Sequence, residues 1–172
     1  MNQLIGSATA FSSGGPGKGM HCRAITNMMQ KNPYVDGASG LVHHFTDTGL
    51  FGISVEGSGS HSQDLMNLCI EELNALKEPI DEIELNRAKN ILKMNILMAM
   101  ERTDDRLEEI ARNFMTYGDL TFHQYCSKID AVTSADINRV ATKLLAGKPT
   151  MLVTGGAINM VSSAADVSRQ LN

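Results

Sequence analysis

The sequence has no surplus of positive charge, no long apolar run and few cysteines, and each absence removes a class of protein. Fifteen lysines and arginines stand against nineteen acids, a formal net charge of −4. Nucleic-acid-binding domains carry a basic excess, so no nucleic-acid partner is expected. Cys22, Cys69 and Cys126 lie 47 and 57 residues apart. That spacing fits neither a metal knuckle nor a disulfide framework and points to a reducing compartment. No stretch approaches the roughly 20 apolar residues of a membrane span. The opening Met1–Phe11 has neither a basic n-region nor an Arg-rich amphipathic helix, so no secretory or organellar leader is read in it. Among the five histidines, neither His-Glu-x-x-His nor its inverse occurs, and no catalytic residue or metal ligand is assigned.

What is present describes one folded domain. A chain of 172 residues with 42% hydrophobic and 20% charged residues can bury a core without staples. Residues 20–31 predict a helix with Ala24, Ile25, Met28 and Met29 on one face, stopped by Asn32-Pro33. Residues 34–45 and 49–56 alternate with period two around the turn Thr46–Gly49, which predicts a β-hairpin. Helices follow. Ser60 with Gln63 suggests a capping box opening a helix to Lys77, striped by Leu65, Leu68, Cys69, Leu73 and Leu76. Asp81 with Glu84, stapled by Ile80 and Leu85, opens a helix to Glu101. Thr103–Asp105 opens one ending near Gly118, and Thr121 with Gln124 starts a short one. Thr133 with Asp136 opens the last, closed by Gly147 as C′ residue. Thr150–Thr154 reads as a short apolar strand. Residues 157–172 read as a weakly amphipathic tail, a surface helix or a frayed end, after the domain formed by 1–156. The fold class is α/β (α+β), a mostly antiparallel sheet packed on a layer of helices.

The sharpest local feature is the glycine-rich segment 11–20. Gly14, Gly15, Pro16, Gly17 and Gly19 leave little side-chain bulk, so such a loop can offer bare backbone N–H and C=O groups to a ligand. Lys18 is its sole charge. A phosphate loop needs Gly-x₄-Gly-Lys-Ser/Thr. Ser12 stands where the first glycine belongs and Gly19 where the hydroxyl belongs. Two readings remain: a flap touching an extended peptide through its backbone, and a simple connector. His43 and His44 point to opposite faces of a strand and form no ligand pair. Arg23 and Lys18 near Cys22 would favour a thiolate, but no base is placed beside it. Met28, Met29, Met94, Met98 and Met100 read as core packing. The acids Glu71-Glu72, Asp81, Glu82, Glu84, Asp104, Asp105, Glu108 and Glu109 read as caps and solvated faces.

Phe11-Ser-Ser-Gly-Gly-Pro-Gly-Lys-Gly-Met20 resembles the glycine-rich loop of processing-peptidase α subunits, a non-catalytic branch of the pitrilysin-type peptidases. Asp47-Thr-Gly-Leu50 resembles that family's strand turn. Glu84-Leu-Asn-Arg-Ala-Lys89 with Leu92-Lys93 resembles its long helix. Asp136-Ile-Asn-Arg-Val-Ala141 and Gly147-Lys-Pro149 resemble its closing helix and last strand. The likeness runs over about residues 4–155 and concerns the C-terminal half of such a subunit.

The resemblance implies a pitrilysin-type half-subunit, N-terminally truncated by a strand and most of a helix, with Met1–Ile5 as that helix's end. It implies a non-catalytic recognition subunit in the mitochondrial matrix. Phe11, Ser12, Ser13, Gly14, Gly15, Pro16, Gly17, Lys18 and Gly19 would contact the basic presequences of imported precursors. A partner β subunit would carry the zinc and perform cleavage, with no cofactor in this chain. Association with the inner membrane would come only through a complex. The alternative implied by the same fold is a structural core-type subunit of the respiratory cytochrome bc complex. Ser7-Ala-Thr-Ala10 departs from the family's run of glycines, and His21-Cys22-Arg23 replaces an aromatic-containing stretch.

Overall fold

The computed structural model describes residues 1–9, 20–45, 47–118, 122–156 and 158–171. A short helix α1 (Asn2–Ile5) leads through Gly6 into strand β1 (Ser7–Thr9). A π-helical turn, Ala24–Met29, precedes the hairpin β2 (Val35–His44) and β3 (Gly49–Gly57). Five helices follow: α2 (Ser62–Ala75), α3 (Glu82–Glu101), α4 (Thr103–Tyr117), α5 (Phe122–Ala131) and α6 (Ser134–Leu145). The chain closes with α7 (Ala164–Leu171).

The three strands form one antiparallel sheet in the order β1-β2-β3. Register places Ala8 opposite Ala38, Ala38 opposite Val55, and Gly40 opposite Ile53. These positions share a face, and that face meets the helices. Ala8, Ala38, Ile53 and Val55 pack there with Cys22, Ala24 and Met28. A second cluster joins Leu4 and Ile5 to Leu76, Ile80, Leu85, Ala88, Ile137 and Ala141. The expected architecture, an antiparallel sheet on a helical layer, is what the chain adopts.

Local chemistry explains most helix starts. Thr133 and Asp136 complete a reciprocal capping box on α6, each side chain bonding the other's backbone N–H. A cap of this kind contributes about 1 kcal/mol. Asp81 caps α3 by accepting from the backbone N–H of Ile83 at 3.1 Å and Glu84 at 3.3 Å. Ile80 and Leu85 share a core cluster across that cap, as a hydrophobic staple requires. The Ile80 N–H donates to Ser134 Oγ at 2.8 Å, tying the entry of α3 to that of α6.

Several expectations need correction. The predicted helix over 20–31 is a π-turn: the Gln30 N–H reaches back five residues to the Ile25 carbonyl at 2.9 Å. Asn32 ends it by donating to the Met28 carbonyl at 2.9 Å. The Ser60–Gln63 box does not form. Ser60 bonds Ser58, a 3-10 turn (Gly59–His61) precedes α2, and the Gln63 side-chain Oε1 accepts from the backbone N–H of Ser162 at 2.7 Å. Gly147 follows α6 without a left-handed φ. Thr150–Thr154 forms no strand: among the described residues no ladder partner lies beside it. Strand propensity without a neighbour yields no sheet. Met151 turns into a cluster with Ile70, Val167 and Leu171, while Leu152 is 89% exposed. Residues 164–171 form α7, whose Val167 and Leu171 are buried against α2.

Candidate functional site

The predicted contact residues Phe11, Ser12, Ser13, Gly14, Gly15, Pro16, Gly17, Lys18 and Gly19 lie outside the described residues. What the structure describes is the pair of stems on either side. The first stem is β1, laddered onto β2 through Ser7–Ser39 and Ala8–Ala38. The second runs from Met20 into the π-turn. Ala8 from the first and Cys22 from the second are buried in one cluster. Gly6 makes this approach possible. A Cβ at Gly6 would sit 2.4 Å from the Cys22 Cβ and 2.5 Å from its Sγ. Gly6 also has φ 72°, a left-handed value that glycine alone adopts cheaply.

Behind the second stem lies a buried polar cluster. Arg23 donates through Nε to Glu84 Oε1 at 2.6 Å and through Nη2 to Oε2 at 3.0 Å. This two-pronged, charge-assisted pairing is among the stronger side-chain contacts. The Arg23 side chain is 11% exposed and that of Glu84 25%. The hydrogen bonds it donates to Glu84 raise the Arg23 pKa further, so the guanidinium stays charged despite burial.

Glu72 of α2 joins the same cluster. It is 7% exposed, and its Oε2 has no hydrogen-bond partner among the described residues. Desolvation pushes its carboxyl pKa upward, an effect opposed by a hydrogen bond from Asn27 and by the Arg23 charge. Glu84 adds to the upward push, while Lys31, which donates to Asn27 Oδ1 at 3.3 Å, opposes it. One guanidinium thus faces two carboxyl groups, Glu84 by a direct fork and Glu72 by its charge. One turn earlier, burial and the Glu72 charge push the Cys69 thiol up to about 12, which keeps it inert.

Other sequence candidates resolve plainly. Arg23 turns to Glu84, and Cys22 is buried in the apolar cluster. His43 and His44 are both exposed on β2 opposite Leu50 and Gly49. Among the described residues no group of three or more His, Cys, Asp or Glu could hold a metal ion. Met28 is fully buried, but Met98 is 59% exposed, so the methionines are not uniformly core. The sequence reading missed Glu72, treating it as solvated beside Glu71. A signal existed: Glu72 stands four residues after Leu68 and four before Leu76, on the stripe that faces the sheet. Glu84 was assigned to a capping box with Asp81, and only the Asp81 half forms.

An antiparallel sheet backed by a layer of helices defines an α+β domain. Residues 1–92 match the family described as the peptidase M16 inactive domain. The chain belongs to that family and is a non-catalytic member of it. It is similar to the mitochondrial-processing peptidase subunit alpha of Solanum tuberosum, 34% identical over 98% of this chain and 34% of that protein. The subunit alpha of Rattus norvegicus is 31% identical over 90% of this chain and 30% of its own length. The probable subunit alpha of Schizosaccharomyces pombe is 36% identical over 88% and 33%. The chain thus spans about a third of the length of the curated relatives it matches. Two solved structures share the fold. A chain of complex III2 from Candida albicans superposes with TM-score 0.68 at 20% identity, over 83% of this chain and 34% of that one. A conserved protein from Enterococcus faecalis V583 gives TM-score 0.67 at 23% identity, over 83% and 31%.

Proposed function

We propose that this chain acts within the recognition subunit of a mitochondrial processing peptidase. In this reading the segment Phe11–Gly19 captures basic presequences of imported precursors in the matrix. A partner β subunit carries the zinc and cleaves. The observation that carries the reading is similarity to processing-peptidase α subunits over 98% of the chain in the potato relative, in a family of inactive domains. The stem geometry supports it. A glycine-rich segment whose flanks are fixed can offer backbone groups to an extended peptide without dragging the sheet with it. A net charge of −4 favours approach of an Arg-rich peptide modestly.

Titrating a fluorescent Arg-rich presequence peptide, with and without a catalytic β subunit, tests this. Binding that tightens with the β subunit and falls when Ser13–Gly19 is deleted is expected, with the circular dichroism spectrum unchanged. Equal affinity after deletion removes the loop from the mechanism. Association with respiratory-complex subunits and no peptide binding would favour the core-type role.

A further inference from the structure

We propose that Arg23 and Glu84, with Asn27 and Glu72 around them, form a clamp that fixes the second stem of the glycine-rich segment, and so act as positioning residues for peptide capture. The inference rests on the recognition reading above for its functional half and on described geometry for its structural half.

The argument begins with the weakness of the stem itself. Met20–Cys22 has no strand or α-helix of its own, and the following six residues wind as a π-turn. π-turns have poorer packing than α-helices and persist where other contacts hold them. At the stem itself the apolar contacts are Cys22 and Ala24 beside Ala8, and the larger anchor, Met28, lies further along the π-turn. Among the described residues the Arg23–Glu84 fork is the side-chain hydrogen-bond link between this stem and α3, and it spans 61 residues of sequence. Glu72 of α2 lies beside the same stem, its raised pKa opposed by Asn27 and by the Arg23 charge. Breaking the fork strips a half-buried charge of its direct partner, which favours opening or rearrangement of the stem. Cys22, adjacent to Arg23 and buried at 6% exposure, reports that opening directly.

The test uses the 172-residue chain with Cys69→Ser and Cys126→Ser, so that Cys22 is the remaining thiol. Its labelling rate is measured in Arg23→Met, Arg23→Lys and Glu84→Gln, alongside Val167→Ala as a control. Val167 is buried in the α2–α7 cluster, away from the clamp. Its substitution lowers global stability without touching the stem. Arg23→Met and Glu84→Gln should label Cys22 at least about tenfold faster than the control at matched stability. Arg23→Lys, which keeps the charge but loses the fork, should fall between. Affinity for the fluorescent presequence peptide should drop in the same order. If Glu84→Gln and Arg23→Lys label at the control's rate, the clamp is wrong, even should Arg23→Met fail to fold. If labelling accelerates while affinity holds, the clamp does not position the segment and the functional half is overturned. A parent chain that binds no peptide overturns the recognition reading, while the labelling rates still decide the clamp.

Discussion

Glu72 is the residue whose environment departs furthest from its chemistry. Its carboxyl faces Arg23, Glu84 and Asn27, with Lys31 beyond. Its pKa is higher in the folded protein than in the unfolded chain. The native state therefore binds more protons, and stability falls as pH rises from the ordinary carboxylate range, about 4.3, toward the raised native value. Glutamine cannot ionise yet keeps an oxygen for Asn27. Glu72→Gln should match the parent's melting temperature near pH 4 and exceed it progressively by pH 7. Thermal melts across that range check this; parallel curves would mean that Glu72 is charged and fully partnered. Asp136 runs the other way. Its bonds to Thr133 and Arg139 lower its pKa, so its contribution is lost as pH falls through its native value.

Helix α4 is inverted relative to the usual amphipathic arrangement. Leu107, Ile110 and Phe114 recur at helical spacing, yet are 69%, 50% and 64% exposed. Asp105, Glu109 and Asn113, on another side, are the half-buried positions. Exposed apolar patches of this kind promote association. Replacing Leu107, Ile110 and Phe114 with Gln should reduce self-association in light scattering while shifting stability by less than about 1 kcal/mol. A large loss of stability would mean that the stripe is internal. At this scale the sequence was most readable where one element's chemistry sufficed. The hairpin, the cap at Asp81 and the box at Thr133 were visible because neighbours in sequence make them. The fork of Arg23 with Glu84 was not, because its partners are 61 residues apart and each had a plausible local role. The glycine-rich segment was legible as composition, and its stems became visible only through Gly6, Ala8 and Cys22 meeting in space.

Across the whole molecule, the C-terminal residues bind α2 along its length. Ser162 bonds Gln63, the Gln170 carbonyl accepts from Asn74 at 3.0 Å, and the Leu171 carbonyl accepts from Lys77. Val167 is 5% exposed and Leu171 2%. Each such side chain contributes about 1.5–3 kcal/mol by burial, so removing residues 164–172 should cost about 3–6 kcal/mol. Urea unfolding measures it, and an unchanged midpoint would return these residues to the surface. A weak hydrophobic period in sequence concealed this docking, because a short helix needs only two anchors. The stretch Thr150–Thr154 misled for the opposite reason. Its residue types suit a strand, but pairing is a property of neighbours, and the described residues supply none.

The π-turn carries one residue more than an α-helix needs for the same advance. A chain shorter by one between Cys22 and Asn32 would wind more regularly and improve its own hydrogen bonds. Because the wide turn absorbs that residue within itself, the chain before it keeps its phase, and Arg23 keeps its direction toward Glu84. Loss of one residue here should therefore be tolerated better than in α3, where the same deletion would rotate the preceding residues by about 100° about the axis.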